Sequence, residues 1–405
     1  MSLKVLNDLP QMLDPGALPA AEVEALYVHV PFCFHKCHYC DFYSITRQTD
    51  ERMSRFVELT LREAETWTRS ARGPALRPRT VFFGGGTPTL LPIDSMRRLL
   101  EGLRERIDLS DVGEFTVECN PATASLEYFQ MLRTAGVDRI SFGAQSFDRH
   151  ELKQLERHHD PDDVPKSLDL ARAAGFERIN FDLIYAIPGQ TLESWAASLD
   201  SAIALGTKHL SAYGLTYESN TAITVRRRLG HFVAAEESLE LDMLRHARAR
   251  LAGAGLPPYE ISNYAAPGEE CRHNLVYWTG GSYVGLGPSA ASHVEGWRWR
   301  NRPHLGEWER AAAAGELPSI EVEQLTPRRR AGELAMLQLR LSRGLNFAEF
   351  AARTGHDARQ LWADPIERFS AVGLLSADDR ALRLTDRGVA VADALAAEFL
   401  DAPAN

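Results

Sequence analysis

Six short apolar runs alternate with six helical patterns between residues 26 and 254, and this alternation limits the fold more than any other feature. The runs are LYVHVPF (26–32), TVFFGG (80–85), EFTVECN (114–120), RISFGAQ (139–145), RINFDLIYA (178–186) and HLSAYGLTYE (209–218). Each is rich in β-branched and aromatic residues and nearly continuous in hydrophobicity, the pattern of strands buried on both faces. Helical periodicity marks 51–70, 94–107, 125–135, 162–174, 191–204 and 235–254, with stop signals at Gly136, Gly175 and Gly206. Six strand–helix units in succession imply a parallel sheet with right-handed crossovers. A closed eight-unit barrel needs two more units, which the chain after 255 does not supply. The expected fold class is therefore α/β, a partial (β/α)6 barrel.

Past about residue 305 the pattern changes. RPHLGEWERAAAAGELPSIEVEQLTPRRR reads as a connector, and a helix is expected over 328–343. Two short strands, 373–376 and 381–385, flank a polar turn and precede a last helix, so a small C-terminal helical, winged-helix-like domain is expected. The division is then an N-terminal arm (1–25), the barrel with its extension (26–305) and the C-terminal domain (306–405). Acidic residues interrupt any basic stripe in that domain, which favours a lid or docking role over DNA binding.

Composition excludes several function classes. The 405 residues are 44% hydrophobic and 25% charged, as in soluble globular proteins, and the net charge of -10 leaves no basic footprint for nucleic acid. No apolar run approaches the roughly 18 residues of a membrane span, and MSLKVLNDLPQMLDPG lacks the layout of a signal peptide. Five cysteines, an odd number in a large chain, argue for a reducing compartment, so a cytoplasmic location is expected.

Three of those cysteines, Cys33, Cys37 and Cys40, fall within YVHVPFCFHKCHYCDFYS, spaced C-x3-C-x2-C with no fourth nearby. His35 or His38 could complete a three-cysteine, one-histidine zinc site, although zinc ligands more often come as two separated pairs. The close spacing favours a cubane iron–sulfur cluster, whose fourth iron would be left without a protein ligand and open to another molecule. A second motif, FFGGGTPTLL (82–91), ends the second strand; its glycines allow close backbone approach to a ligand or simply a tight turn. Glu118, Gln145 and Asp182 fall toward the C-terminal ends of later strands, the rim where barrel active sites gather. Cys119 and Cys271 stand alone and read as buried, inert thiols.

Together YVHVPFC-x3-C-x2-C, FFGGGTPT, VECNP, SFGAQSFD and NFDLIYAIPGQT resemble the radical S-adenosylmethionine (SAM) superfamily, and within it the oxygen-independent coproporphyrinogen III oxidase family. The resemblance runs from about Tyr27 to the C-terminus. It implies a [4Fe-4S] cluster on Cys33, Cys37 and Cys40, with SAM chelating the fourth iron and cleaved by an electron that a donor protein supplies. It also implies SAM contacts from Tyr27, Tyr39, Gly85, Gly86, Thr87, Glu118, Gln145, Arg157 and Asp182, with Ala291 a weaker candidate. The oxidases carry a further cysteine two residues after the third ligand and a longer N-terminal arm. Here Phe42 stands at that position and 26 residues precede Tyr27. Both departures, with HNLVYW (273–278), are similar to the HemW-type branch, haem chaperones that deliver haem to haem-accepting apoproteins. That branch implies haem as cargo, with His273 as a candidate axial ligand or else a hydrogen-bonded structural histidine. The alternative is the oxidase itself, decarboxylating the propionates of coproporphyrinogen III.

Overall fold

A computed structural model describes residues 13–69 and 74–400. Six strands run parallel and pair in sequence order: β1 (Glu22–Val30), β2 (Ala75–Gly85), β3 (Glu114–Cys119), β4 (Arg139–Gln145), β5 (Arg178–Tyr185) and β6 (His209–Gly214). The sheet does not close. β7 (Asn263–Ala265) adds antiparallel to β6, while β8 (Tyr283–Leu286) runs parallel to β1 on the other edge. From β8 the sheet continues antiparallel through β9 (Ala291–Val294), β10 (Trp297–Asn301) and β11 (Ser319–Gln324). This is the partial (β/α)6 barrel expected from the sequence, extended at both edges.

The helices that return the chain between these strands, among them Asp50–Thr68, Ile93–Arg106, Leu126–Thr134, Asp163–Ala173 and Leu192–Ala204, lie within two residues of the sequence-predicted ranges. Their starts carry local signals. Thr49 and Ser125 each accept a hydrogen bond from the backbone N–H three residues on, and Thr191 forms a reciprocal capping box with Ser194.

The strands are not apolar on both faces, and this corrects the sequence reading. Alternation sends Val81, Phe83, Phe115, Val117, Ile140, Phe142, Ile179 and Phe181 outward into one core beneath the helices. Phe142 stacks on Phe181 at 5.8 Å and meets Phe129 edge-on, so Phe142→Ala would cost about 3–5 kcal/mol. The other face turns Thr80, Glu114, Glu118, Arg139, Ser141, Asn180, Asp182, His209 and Ser211 into the lumen, linked by hydrogen bonds such as Asn180 to Ser141 (2.7 Å) and Ser141 to Asp182 (3.2 Å). A polar lumen inside an apolar shell prepares a site for a polar ligand.

Two expected boundaries move. The arm expected over 1–25 already enters the sheet at Glu22, and its residues 1–12 lie outside the described residues. The connector expected after 305 is a helix, Leu305–Ala314, followed by β11; Leu305, Trp308, Ala312 and Leu317 belong to the barrel's core. The buried carboxyl of Glu63 ties this extension down, accepting from Gly287 N (2.9 Å), Asn301 Nδ2 (2.6 Å) and Trp308 Nε1 (2.9 Å). A separate core begins at Ala331 and gathers Phe347, Phe350, Trp362, Leu382 and Phe399. Its helices and three-stranded sheet, β12 (Leu345–Asn346), β13 (Leu375–Ala377) and β14 (Ala381–Leu384) in the order β12-β14-β13, form the expected winged-helix-like domain.

Candidate active site

The three cysteines lie on the loop that leaves the C-terminal end of β1. A bridge between Phe32 and Ile45 pinches its base, with Cys33 N–H donating to Ile45 O (3.0 Å) and Ile45 N–H to Pro31 O (2.7 Å). Against this base runs the glycine segment after β2. Gly86 N–H donates to Val30 O (2.8 Å) and Thr87 N–H to Phe32 O (2.7 Å). A Cβ on Gly86 would fall 2.6 Å from Phe32 O, and Gly85 holds φ +102° with the His29 ring where a Cβ would stand. Both positions therefore need glycine, one for close approach and one for backbone conformation as well.

Side chains then converge on the sulfurs. Thr87 Oγ1 lies 3.9 Å from Cys33 Sγ, and Arg157 Nη1 donates to Cys37 Sγ at 3.7 Å. Asn120 joins the two, donating to Thr87 Oγ1 (2.9 Å) and accepting from Arg157 Nη2 (2.8 Å). Arg157 also donates to Gly143 O (2.6 Å). Gln145, at φ +65°, and Arg157 crowd Gly143 so closely that a Cβ there would meet both, at 2.8 and 3.3 Å. Asn120, Gly143 and His29 escaped the sequence reading. Asn120 follows Glu118 within the quoted VECNP, but only the fold shows that it bridges two cysteine contacts.

The residues fit a cluster better than a single zinc ion. Among the described residues no three His, Cys, Asp or Glu side chains close around one point as a mononuclear site requires. Each thiolate of a cubane takes a different iron, so its sulfurs stand further apart. The loop histidines are engaged elsewhere: His35 Nε2 and His38 Nε2 both lie 2.9 Å from Glu156 Oε2, and Arg226 Nη1 donates to His38 Nδ1 (2.8 Å). Burial pushes the Cys40 thiol up to about 11 and raises Cys33 as well, so ionisation needs cationic company, which a metal supplies. Arg157 Nε is buried beside the loop with no hydrogen-bond partner among the described residues.

Deeper in the lumen, Glu118 accepts from Gly85 N–H (3.2 Å), and burial followed by the charge of Asp182 pushes its carboxyl up to about 8. Asp182 is raised by burial too, against hydrogen bonds from Ser211, Asn180 and Ser141. Tyr27 bonds to His29 Nδ1 (3.1 Å), and Tyr39 packs against the cluster of Leu155, Ile184, Ile187, Leu215 and Ile223. The site residues expected from the sequence thus gather at one end of the lumen, with two exceptions. Ala291 sits in β9, beyond β8 on the extension. His273 belongs to the floor: it is 1% exposed, its Nδ1 pairs with Thr80 Oγ1 (2.9 Å) and its Nε2 with Tyr277 OH (2.8 Å). Burial lowers its pKa to about 3, so it is a neutral ring with both nitrogens occupied. The imidazole has no nitrogen left for an iron, which favours the structural alternative. Cys119 and Cys271 are buried, with thiols pushed up by burial to about 11 and 12.

Comparison with known proteins gives a consistent pattern. Residues 27–202 match the radical SAM superfamily and residues 325–391 the HemN C-terminal domain. A relative from Mycobacterium tuberculosis named heme chaperone HemW is 36% identical over 387 residues, covering 95% of this chain and 97% of its own. Relatives of the same name from Lactococcus lactis and Bacillus subtilis are 32% and 31% identical, covering 92% and 93% of this chain and 96% and 99% of theirs. Among solved structures, the coproporphyrinogen III oxidase (HemN) of Escherichia coli, described as a radical SAM enzyme, superposes with a TM-score of 0.81 over 95% of this chain and 92% of its own. At 22% identity that likeness speaks for the fold alone.

Proposed function

Because the chain belongs to the radical SAM superfamily and, within its oxygen-independent coproporphyrinogen III oxidase family, to the HemW-type branch, we propose that it is a haem chaperone. On this reading it carries a [4Fe-4S] cluster and SAM, binds haem and delivers it to haem-accepting apoproteins. The observation that carries the reading is the end-to-end likeness to relatives named heme chaperone HemW. Phe42 supports it, standing 66% exposed where the oxidases have a further cysteine.

Cys33, Cys37 and Cys40 would hold the cluster, with the Arg157 guanidinium balancing thiolate charge and the Thr87 hydroxyl beside Cys33. When bound and reduced, such a cluster would supply the electron for SAM cleavage. The N–H groups of Gly86 and Thr87 are used up on the cysteine loop, so this segment would meet SAM through backbone carbonyls, which suits an ammonium group. Glu118 and Asp182 offer further acceptors below it, Gln145 an amide at the rim, and Tyr27 and Tyr39 aromatic walls. Partners would be an electron donor and the acceptor apoproteins, in the cytoplasm; no helix among the described residues is long and apolar enough to cross a membrane. The domain boundary belongs near 325, where the barrel's core ends.

The test pairs two assays on anaerobically reconstituted protein. Haem loaded on the protein should pass to an apo-haemoprotein, and coproporphyrinogen III with SAM and reductant should remain unconverted. Multiple turnovers to decarboxylated product would overturn the chaperone reading in favour of the oxidase.

A further inference from the structure

A chain of net charge -10 places three consecutive arginines, Arg226, Arg227 and Arg228, on the helix Ala222–Arg228 beside the cysteine loop. Among the described residues none of the three has a carboxylate within ion-pair distance. Arg226 instead donates to His38 of the loop, and Arg227 lies over the Tyr217 ring at 4.6 Å. The helix is fixed to the site by its buried Ile223, whose N–H donates to His38 O (2.9 Å). Its opposite face is apolar and open to solvent. Val225 and Leu229, one helical turn apart, are 49% and 66% exposed, and Val233 just beyond is 81% exposed. His231 lies between them. Its backbone N–H caps the helix on Arg226 O (3.0 Å), while its ring is exposed and makes no hydrogen bond to any described residue.

Unpaired cations, uncovered aliphatic side chains and a free imidazole on one short segment, RRRLGHFV, call for a ligand that offers carboxylates, a flat apolar face and a metal at once. We propose that residues 225–233 are the haem-docking site, which rests on the chaperone reading above. His231 ligates the iron, Val225, Leu229 and Val233 lie under the ring, and Arg227 and Arg228 pair with the two propionates. Two features favour this over a surface for an acidic protein. The free ring of His231 answers a metal and not a carboxylate surface, and a rim against the cysteine loop places haem beside the cofactors. It also takes over the role that the buried His273 cannot fill.

The experiment titrates ferric haem into reconstituted protein and follows the Soret band. Wild type should bind one haem with an imidazole-type spectrum. His231→Ala should shift that spectrum and weaken binding about tenfold, and added imidazole should restore the band position. Arg227→Gln with Arg228→Gln should weaken haem about tenfold, the sum of two exposed charge pairs, yet leave haem dimethyl ester, which lacks free carboxylates, unchanged. His158→Ala is the control, since that exposed ring packs edge-on against Phe34 and His35 on the same rim. These side chains are exposed, so far-UV circular dichroism and cluster absorbance should match wild type. If wild type binds haem and the His231 and arginine variants bind it with unchanged spectrum and affinity, the site is wrong and the chaperone stands. If only His158→Ala loses the band, haem sits across the rim and this assignment fails. If wild type binds no haem, both readings fall.

Discussion

The two ends of the barrel lumen are built from similar residues and are left in opposite states. At the floor, Glu114 and His273 are fully hydrogen-bonded. Glu114, fully buried, accepts from Arg178 Nη2 (2.7 Å), Arg272 N (3.0 Å) and His273 N (2.9 Å), and His273 spends both ring nitrogens on Thr80 and Tyr277. At the mouth, three free thiols share one loop, Arg157 Nε has no hydrogen-bond partner among the described residues, and Phe34 and Phe42 stand in solvent. Buried polar groups that are fully paired specify a structure, whereas those left short of partners at a cleft await a ligand. On the proposed reading, the floor holds the barrel together and the mouth is where the chemistry would take place.

The sharpest way to break this contrast is at the cysteines. Replacing Cys33, Cys37 or Cys40 with Ala should abolish the cluster, while Cys119→Ala and Cys271→Ala should retain about four irons and four sulfides per chain. Iron and sulfide analysis of anaerobically reconstituted protein decides it. Stoichiometric zinc in wild type without iron–sulfur absorbance would contradict the cluster. The next largest effect belongs to the floor. Burial alone would raise the Glu114 carboxyl, but Arg139, the N–H groups of His273 and Arg272, and Arg178 hold it below the ordinary carboxylate range. Glu114→Ala strands the buried charge of Arg139 and should cost about 3–5 kcal/mol in denaturant unfolding, against a far smaller change for Phe42→Ala at the rim. Equal losses would erase the distinction.

A smaller effect is pH-dependent. Glu118 is pushed up to about 8 in the folded chain, so the folded state binds the proton more tightly than the unfolded one. The stability from that carboxyl is complete below the ordinary Glu pKa and falls as pH rises toward about 8. Glu118→Gln should flatten this slope in thermal unfolding of protein without SAM; an unchanged slope would mean that Glu118 is not the group responsible.

Much of this was readable in the sequence, for physical reasons that differ by element. Cysteine spacing is local, so C-x3-C-x2-C carried its meaning without the fold. Strand positions followed from β-branched and aromatic runs, but their inner face did not. RINFDLIY reads as apolar until Arg178, Asn180 and Asp182 are seen to share one side and Ile179, Phe181 and Leu183 the other. SIEVEQ passed for a connector because β11 is an edge strand, mostly part-exposed and rich in charge, as edge strands are when they avoid further pairing. HNLVYW was conspicuous, yet no spacing rule reveals that Thr80, 193 residues away, occupies a nitrogen of His273. Asn120 was hidden for the same reason, since its partners Thr87 and Arg157 lie 33 and 37 residues away in sequence, one after β2 and the other after the helix Arg149–Gln154.

The most direct test of mouth against floor is the electron paramagnetic resonance spectrum of the reduced, reconstituted protein with and without SAM, recorded on wild type and on His273→Ala. SAM should perturb the wild-type cluster signal, because its amine and carboxylate reach the open iron, and should perturb the His273→Ala signal in the same way. A wild-type spectrum identical with and without SAM would show the fourth iron closed by a protein group, and a SAM effect lost with His273 would place the floor, not the mouth, in the chemistry.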